Sequence, residues 1–238
     1  LKTQEQEIQG EVNSLKGRKS NIPSKILDVR AKMLEALNVS EDTLPFVGEL
    51  IQIDEQETAW AGAIERLLHN FGLSILVPES LYNQVTHYVE RTNLKERIVY
   101  FRVKTEGISR HNEMIHKESM LNKLKVKPDT HFYDWLMAEL SHRFNYICTE
   151  TLIDFQREPK AITQNGQSKM GGQRHEKDDR YDINDRSRYI LGWSNKEKIR
   201  VLTQKLHGVQ SQGQAEFENL LALTQQQKDL ETQRDCCR

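Results

Sequence analysis

Long apolar runs are missing from this chain of 238 residues. No stretch approaches the ~20 consecutive apolar residues that a membrane-spanning helix requires, and no signal-peptide pattern is read at its start. Cysteine is scarce: Cys148, Cys236 and Cys237 are the three, the last two adjacent, and none has the spacing of a metal-ligand set. That usage suits a reduced, cytoplasmic compartment. A Gly-x-x-x-x-Gly-Lys-Ser/Thr phosphate loop is also missing, so no nucleotide-hydrolysing head is expected within these residues. Only five prolines occur, which makes each one an informative break.

What is present is a heptad pattern at both ends. Leu1, Ile8, Leu15 and Ile22 recur every seven residues, with Val12 on the intermediate stripe. Ile199, Leu202, Leu206 and Val209 open a 3-4-3 pattern that resumes at Leu220, Leu223 and Leu230. Such spacing keeps one seam of a helix apolar and turns it toward a partner helix. The expectation is a leading helical arm over 1–23 that pairs antiparallel with the first half of a trailing arm over 194–238, with a globular domain between them. Beyond Gly213 the seam is interrupted by Gly213, Glu216 and Gln227, and that part of the tail is expected to fray unless another molecule covers it. With no initiator Met, and an end inside a Gln-rich helical stretch, the sequence reads as a part cut out of a longer protein.

The formal net charge of -1 conceals a segregation. From 41 to 65 there are seven acidic residues and no Lys or Arg; from 86 to 127 there are ten Lys or Arg against five Glu. The basic stretch is read either as solvated helix and loop faces or as a surface for a polyanion, whose phosphates it would neutralise. Under the second reading the DNA-contacting residues are Arg91, Lys95, Arg102, Lys104, Lys123, Lys125 and Lys127, with Arg97, Arg110 and Lys117 in the same stretch.

Between the arms, helical and strand patterns alternate. Ser24 caps a helix over 25–37, 44–53 reads as a strand, 59–71 as an amphipathic helix closed by Gly72, and 73–77 as a buried strand ending at Pro78. A helix over 79–92 and a strong strand over 97–103 complete a first subdomain, 24–103. After a connector, 104–130, the second subdomain (131–193) opens with a helix over 131–144 and a strand over 146–148. A helix capped by Thr149 follows, then a strand over 161–164, an Asn165-Gly166 hairpin turn, a bare glycine-flanked edge over 167–172, and a charged loop over 174–180. The fold class is therefore α/β, with two subdomains.

The order of these motifs resembles the hinge domain of SMC-type proteins: the segments 48–53, 63–65, 74–77 and 97–103 in the first half, then 161–166 and the Gly171-Gly172 pair in the second. Further stretches (44–52, 67–71, 127–129, 132–136, 175–180, 187–195) are similar to the SMC-like subunit of bacterial Wadjet-type plasmid-defence systems, the JetC type related to MukB and MksB. The loop over 174–186 is longer and more charged than the corresponding hinge segment. The resemblance implies arm-tip homodimerisation through sheet edges, with Arg97, Ile98, Val99, Tyr100 and Phe101 of one subunit meeting Gln167, Ser168, Lys169, Met170, Gly171 and Gly172 of the other. It also implies ATP and Mg at head domains outside this segment, nucleoid-associated work on DNA, and kleisin, accessory and nuclease subunits held by other parts of the protein. Chromosome segregation of the MukB or MksB kind, and a non-specific DNA-binding module using 86–127, are the alternatives.

Within the segment itself no catalytic, cofactor or metal residue is expected. His111, His116, His175, Asp178 and Asp179 invite a metal or acid–base reading, but five acidic and five basic residues between 174 and 188 point to mutual pairing in a solvated loop. Gly171-Gly172 is read either as a plain turn or as a place where another backbone approaches. Phe132, Tyr133 and Trp135 are read as core ahead of a stacking platform for single-stranded DNA.

Overall fold

Gly17 ends the first helix earlier than the heptad count implies. In the computed structural model, which describes residues 1–104 and 115–236, helix α1 spans Lys2–Lys16. Arg110, His111 and Cys237 lie outside the described residues. Ile22 keeps the heptad spacing but sits fully buried in the core of the globular domain, and Leu1 is exposed. The chain forms two compact units, Leu1–Gly17 with Lys196–Arg238, and Arg18–Asn195.

The first unit is an antiparallel helix pair. Helix α7 (Lys196–Cys236) runs unbroken for 41 residues, ~60 Å at the usual rise, against ~22 Å for α1. Ile8, Val12 and Leu15 bury against Leu202, Leu206 and Val209, and Gln210 Nε2 donates to Glu5 Oε1 at 2.9 Å. Gly208 and Gly213 do not interrupt α7, but Phe217, Leu220, Leu221, Leu223 and Leu230 are all exposed. An isolated helix of that length draws little stability from propensity alone. Amide exchange in dilute solution is therefore expected to be slow near 202–209 and fast from 214 to 230. Strong protection of 214–230 that ignores concentration would contradict this.

The second unit builds three small sheets around one core. Helix α2 (Ser24–Leu37) is stopped by Asn38 in the left-handed conformation (φ 54), whose N–H bonds to Glu35 O and Leu34 O. The expected strand over 44–53 is reduced to β1 (Ile51–Ile53). Upstream of it, Val47–Glu49 forms a 3-10 turn, because the Glu49 carboxylate accepts the Phe46 N–H at 2.9 Å and curls the chain back. Helix α3 (Ala61–Gly72) buries Ala63, Ile64, Leu68 and Phe71. Strand β2 (Ile75–Pro78), a short 3-10 turn, helix α4 (Tyr82–Arg91) and β3 (Tyr100–Val103) form a βαβ unit with β2 and β3 parallel. The strand expected over 97–103 thus begins three residues later, although Val99 O still accepts the Ile75 N–H. Strand β4 (Leu124–Val126) pairs antiparallel with β1, Ile53 opposite Leu124.

Helix α5 (Tyr133–Phe144) leads into a second βαβ unit, β5 (Ile147–Thr149), α6 (Leu152–Arg157) and β6 (Ala161–Thr163). Thr151, not Thr149, caps α6, its hydroxyl accepting the Asp154 N–H at 3.1 Å; Thr149 belongs to the strand. Strands β7 (Ser168–Met170) and β8 (Arg174–Glu176) extend this sheet antiparallel, in the order β5-β6-β7-β8. Both halves share a single apolar core: Phe71 and Phe144 have ring centroids 5.0 Å apart, Phe101 and Trp135 5.5 Å. Phe132 and Trp135 are core or core-packed, as expected, while Tyr133 is exposed.

Cys148 lies buried in that core, and burial pushes its thiol up to about 12, so at neutral pH it holds almost no thiolate. In a variant with Cys236 and Cys237 replaced by Ser, the remaining thiol should react with a thiol reagent on the order of 10³-fold more slowly than in unfolded chain. Rapid labelling under native conditions would show that this part of the core opens readily.

Candidate self-association surface

The sheet of each βαβ half ends in an edge strand, and β1 and β4 likewise pair only with each other. Among the described residues, β3 is hydrogen-bonded along one side only, to β2, and β8 along one side only, to β7. Unpaired N–H and C=O groups along an edge are a template for another strand.

At the β3 edge, side chains alternate between two supports. Phe101 and Val103 turn into the core, where Phe101 packs edge-on against Phe71 at 5.6 Å. Tyr100 and Arg102 turn toward α4 and the turn before it. Tyr100 OH reaches Thr86 at 3.5 Å, and the Arg102 guanidinium lies 4.4 Å from the centroid of Tyr82. Arg102 also holds Glu79, its Nε donating to Oε2 at 2.6 Å. Hydrogen bonding to Arg102 keeps the Glu79 carboxyl below its ordinary value and raises Arg102 in turn. Arg97 is exposed, while Ile98 and Val99 are half-buried and precede the strand.

At the other edge the structure corrects the sequence reading. Strand β7 is not bare: it is paired by β6 through Ala161↔Lys169 and by β8 through Lys169↔His175. Gly171 and Gly172, with φ 65 and 75, make the turn between β7 and β8, and a Cβ on either would meet nothing within 4 Å. The plain-turn reading therefore holds within the protomer, because two successive positive φ values call for glycine. The free edge is one strand further on, in a segment read from sequence as loop. Lys169 is 4% exposed; its Nζ donates to Gln156 O at 2.9 Å and sits over Phe155. Ser168 and Gln167 are half-buried and Met170 is exposed. Strand β8 carries exposed Arg174, His175 and Glu176, and Arg174 pairs with Glu176 at 2.5 Å. Charge on a short edge is the usual guard against unspecific pairing. An alternation of apolar positions could not reveal β8, since it has none.

Beside β8, the outer half of the sheet face and α3 enclose a groove of about 410 Å³. It is lined by Arg66, Asn70, Arg143, Ser168, Met170 and Arg174 among others. Arg143 stacks over Phe71, Phe101 and Phe144, at 5.2–5.3 Å from each centroid.

Among the described residues, three cations of the basic stretch are already ion-paired. Antiparallel pairing of β1 with β4 brings the acidic stretch against the basic one: Lys125 Nζ meets Asp54 and Lys123 Nζ meets Glu57, each at 2.8 Å. The Lys125 hydrogen bond holds the Asp54 carboxyl below its usual range. Arg102 is spent on Glu79, and Lys123 also lies over Trp60. Exposed Arg91, Lys95, Lys104 and Lys127 take no ion-pair partner among the described residues. In the charged loop, Asp178 is held low by Arg180 and Asp179 by Lys177, as mutual pairing predicts.

That loop continues as a strap over α3. The segment 177–195 contains only one 3-10 turn, Arg186–Arg188. Arg66 Nη2 donates to Tyr181 O at 2.7 Å. Ile183 lies against the bare Cα of Gly62, where a Cβ would come within 2.4 Å of its carbonyl oxygen. Tyr189 OH donates to Ile183 O at 3.0 Å, and burial pushes that phenol up to about 12. The buried Glu65 carboxylate accepts the N–H groups of Ile190 (3.0 Å) and Leu191 (3.1 Å). The Gly192 N–H reaches Gly48 O and Ile51 O, and Asn21 Nδ2 donates to Leu191 O at 3.0 Å and Ser194 O at 3.1 Å.

No protein-family model matches the sequence, and no curated protein matches it significantly. Among solved structures, the folded elbow of cohesin is similar with a TM-score of 0.54 and 18% identity, over 98% of this chain and 32% of that one. The chain thus spans about a third of the cohesin chain it matches. The SMC hinge domain of Pyrococcus furiosus is matched with a TM-score of 0.43 and 12% identity, over 65% of this chain and 87% of that one. The same organism's Smc hinge with an extended coiled coil gives 0.44 and 15%, over 97% and 86%. The fold class is α/β, with an antiparallel intramolecular coiled coil formed by the two ends of the chain. Among the described residues no helix is long and apolar enough to cross a membrane.

Proposed function

We propose that this chain is the hinge, with its adjoining coiled coil, of an SMC-like protein, and that it associates with a second copy of itself. The observation that carries the reading is the pair of open edges, β3 in the first βαβ half and β8 in the second. Two such edges on one protomer allow a two-fold arrangement in which β3 of each copy pairs with β8 of the other, giving two equivalent contacts. On this reading the meeting strands are 100–103 and 174–176, where the sequence pointed to 97–101 and 167–172.

The finer reading rests on the resemblance to the Wadjet SMC-like subunit. On it, the whole protein serves plasmid defence in the bacterial cytoplasm, at the nucleoid. ATP and Mg act at heads elsewhere in that protein, which also holds kleisin, accessory and nuclease subunits, and the complex extrudes DNA loops and directs plasmid cleavage. Segregation of the MukB or MksB kind is the alternative. Contact with DNA through this segment would fall to Arg91, Lys95, Lys104 and Lys127, because Arg102, Lys123 and Lys125 are already neutralised. A contact through so few cations is weak and disappears as salt rises.

Sedimentation over a concentration series tests self-association. A dimer at micromolar concentration is expected, with amides of 100–103 and 174–176 gaining protection as the dimer forms. A stable interface of ordinary size buries ~1,200 Å² or more, which is ample to register. A strictly monomeric chain at high micromolar concentration would sink the proposal.

A further inference from the structure

The strap is long for a segment without regular structure. Loops beyond ~12–15 residues that lack their own elements are uncommon in compact domains, and are often functional. This one is not loose. It begins at the end of β8, at Glu176, and finishes at Asn195, where the chain leaves the domain for α7. Along that path it is pinned to successive residues of one helix. Arg66 takes the Tyr181 carbonyl, and Glu65 takes the Ile190 and Leu191 amides. Gly62 and Gly72 supply bare backbone against which Ile183 and Ile190 close: a Cβ on Gly72 would lie 2.6 Å from Ile190 Cδ1.

The pins differ in kind. Arg66 meets Asp179 at the exposed start of the strap, where solvent competes. Glu65 is 4% exposed and clasps two backbone amides, a charge-assisted pair of bonds in a low-dielectric setting. Downstream of that clasp the strap is stitched to Gly48, Ile51 and Asn21; upstream it runs past the Ile183 and Arg66 contacts to β8, an edge strand held along one side only. Strand β8 has just three residues and three exposed side chains, so its own packing does little to keep it in register.

We infer that the strap is a tether by which α3, through Glu65, couples the exit of the domain to the register of the β8 edge. Releasing the clasp should loosen β8, although Ile190 lies fourteen residues further along the chain. On the self-association reading, from which this takes its functional meaning, the tether sets how readily β8 accepts a partner strand.

Hydrogen exchange on Glu65→Gln and on Tyr189→Phe tests this. The first replaces one of the two acceptor oxygens by an NH2, so that only one of the Ile190 and Leu191 N–H groups keeps its acceptor; the second removes only the hydroxyl that holds Ile183 O. In Glu65→Gln, amides 190–192 are expected to exchange at least ~10-fold faster and amides 174–176 at least ~3-fold faster, with 51–53 and 124–126 unchanged. Tyr189→Phe should speed exchange at 174–176 in the same direction. Fast exchange at 190–192 with β8 unchanged would overturn the tether. If Glu65→Gln loosens the whole domain, Tyr189→Phe decides: an unchanged β8 then overturns it. Mass in solution separates the two readings. A monomeric wild type defeats self-association and leaves the exchange result to judge the tether. If the wild type is a dimer, Glu65→Gln should dissociate at least ~10-fold more readily, and equal dimer strength alongside a loosened 190–192 would also count against the coupling.

Discussion

Replacing Arg30 by Met should cost the domain about 3–5 kcal/mol, a large part of the 5–15 kcal/mol that typical domains possess. Arg30, on the inner face of α2, is only 2% exposed. Its Nη1 donates to Glu49 Oε2 at 2.5 Å, its Nη2 to Glu49 Oε1 at 3.1 Å and also to Glu41, and its guanidinium lies 4.7 Å from the centroid of Phe46. Met preserves the stem and the packing over Phe46, but leaves Glu49, 17% exposed, without a counter-charge. The loss is therefore the penalty of a stranded carboxylate more than the worth of the pair. Adding Glu49→Gln should return about 1–2 kcal/mol, since Gln still accepts the Phe46 N–H while carrying no charge. Denaturant unfolding of the wild type, both single variants and the double variant reads this directly. Equal stability of the wild type and Arg30→Met would show that the pair contributes nothing.

Gly62→Ala and Gly213→Ala should act in opposite directions, though both glycines lie inside helices. At Gly213 a Cβ meets nothing within 4 Å, so alanine gains the helix up to ~1 kcal/mol. At Gly62 the same methyl would sit 2.4 Å from Ile183 O, 2.8 Å from Ile183 Cγ1 and 3.0 Å from the Tyr189 hydroxyl. The strap must move off α3, and overpacking of that kind costs about 1–3 kcal/mol, more than the helix gains. Thermal unfolding should show a lower Tm for Gly62→Ala. Stabilisation there would mean that the strap rides loosely on α3.

Elements that carry their own periodicity were legible in the sequence. The seam of Ile8, Val12 and Leu15 against Leu202, Leu206 and Val209, the apolar face of α3, and the Asn165-Gly166 hairpin all stand where residue spacing puts them. What was not legible depends on partners distant in the chain. Ile22 satisfies the heptad yet belongs to the domain, because Gly17 ends the helix before it. The strand read over 44–53 is curtailed by one side-chain bond from Glu49. Strand β8 has no apolar alternation and exists because β7 lies beside it. The segregated charges were open to a polyanion surface or to solvated faces, whereas residues distant in the chain, Asp54 with Lys125 and Glu57 with Lys123, neutralise each other across the β1–β4 pair. Sequence order separated what the sheet brings together.

The side chain of Asn195 donates to Arg18 O, and Asn21 reaches Leu191 and Ser194, so the first and last residues of the globular unit are stitched together. A domain whose two ends meet behaves as a cassette. It interrupts its host at a single point, and nature or an engineer can transplant it into another helix pair, or reopen it at a different surface turn with a few residues bridging Arg18 and Asn195. The exposed Gly171-Gly172 turn, where an added Cβ would meet nothing within 4 Å, is a natural place to put the new ends.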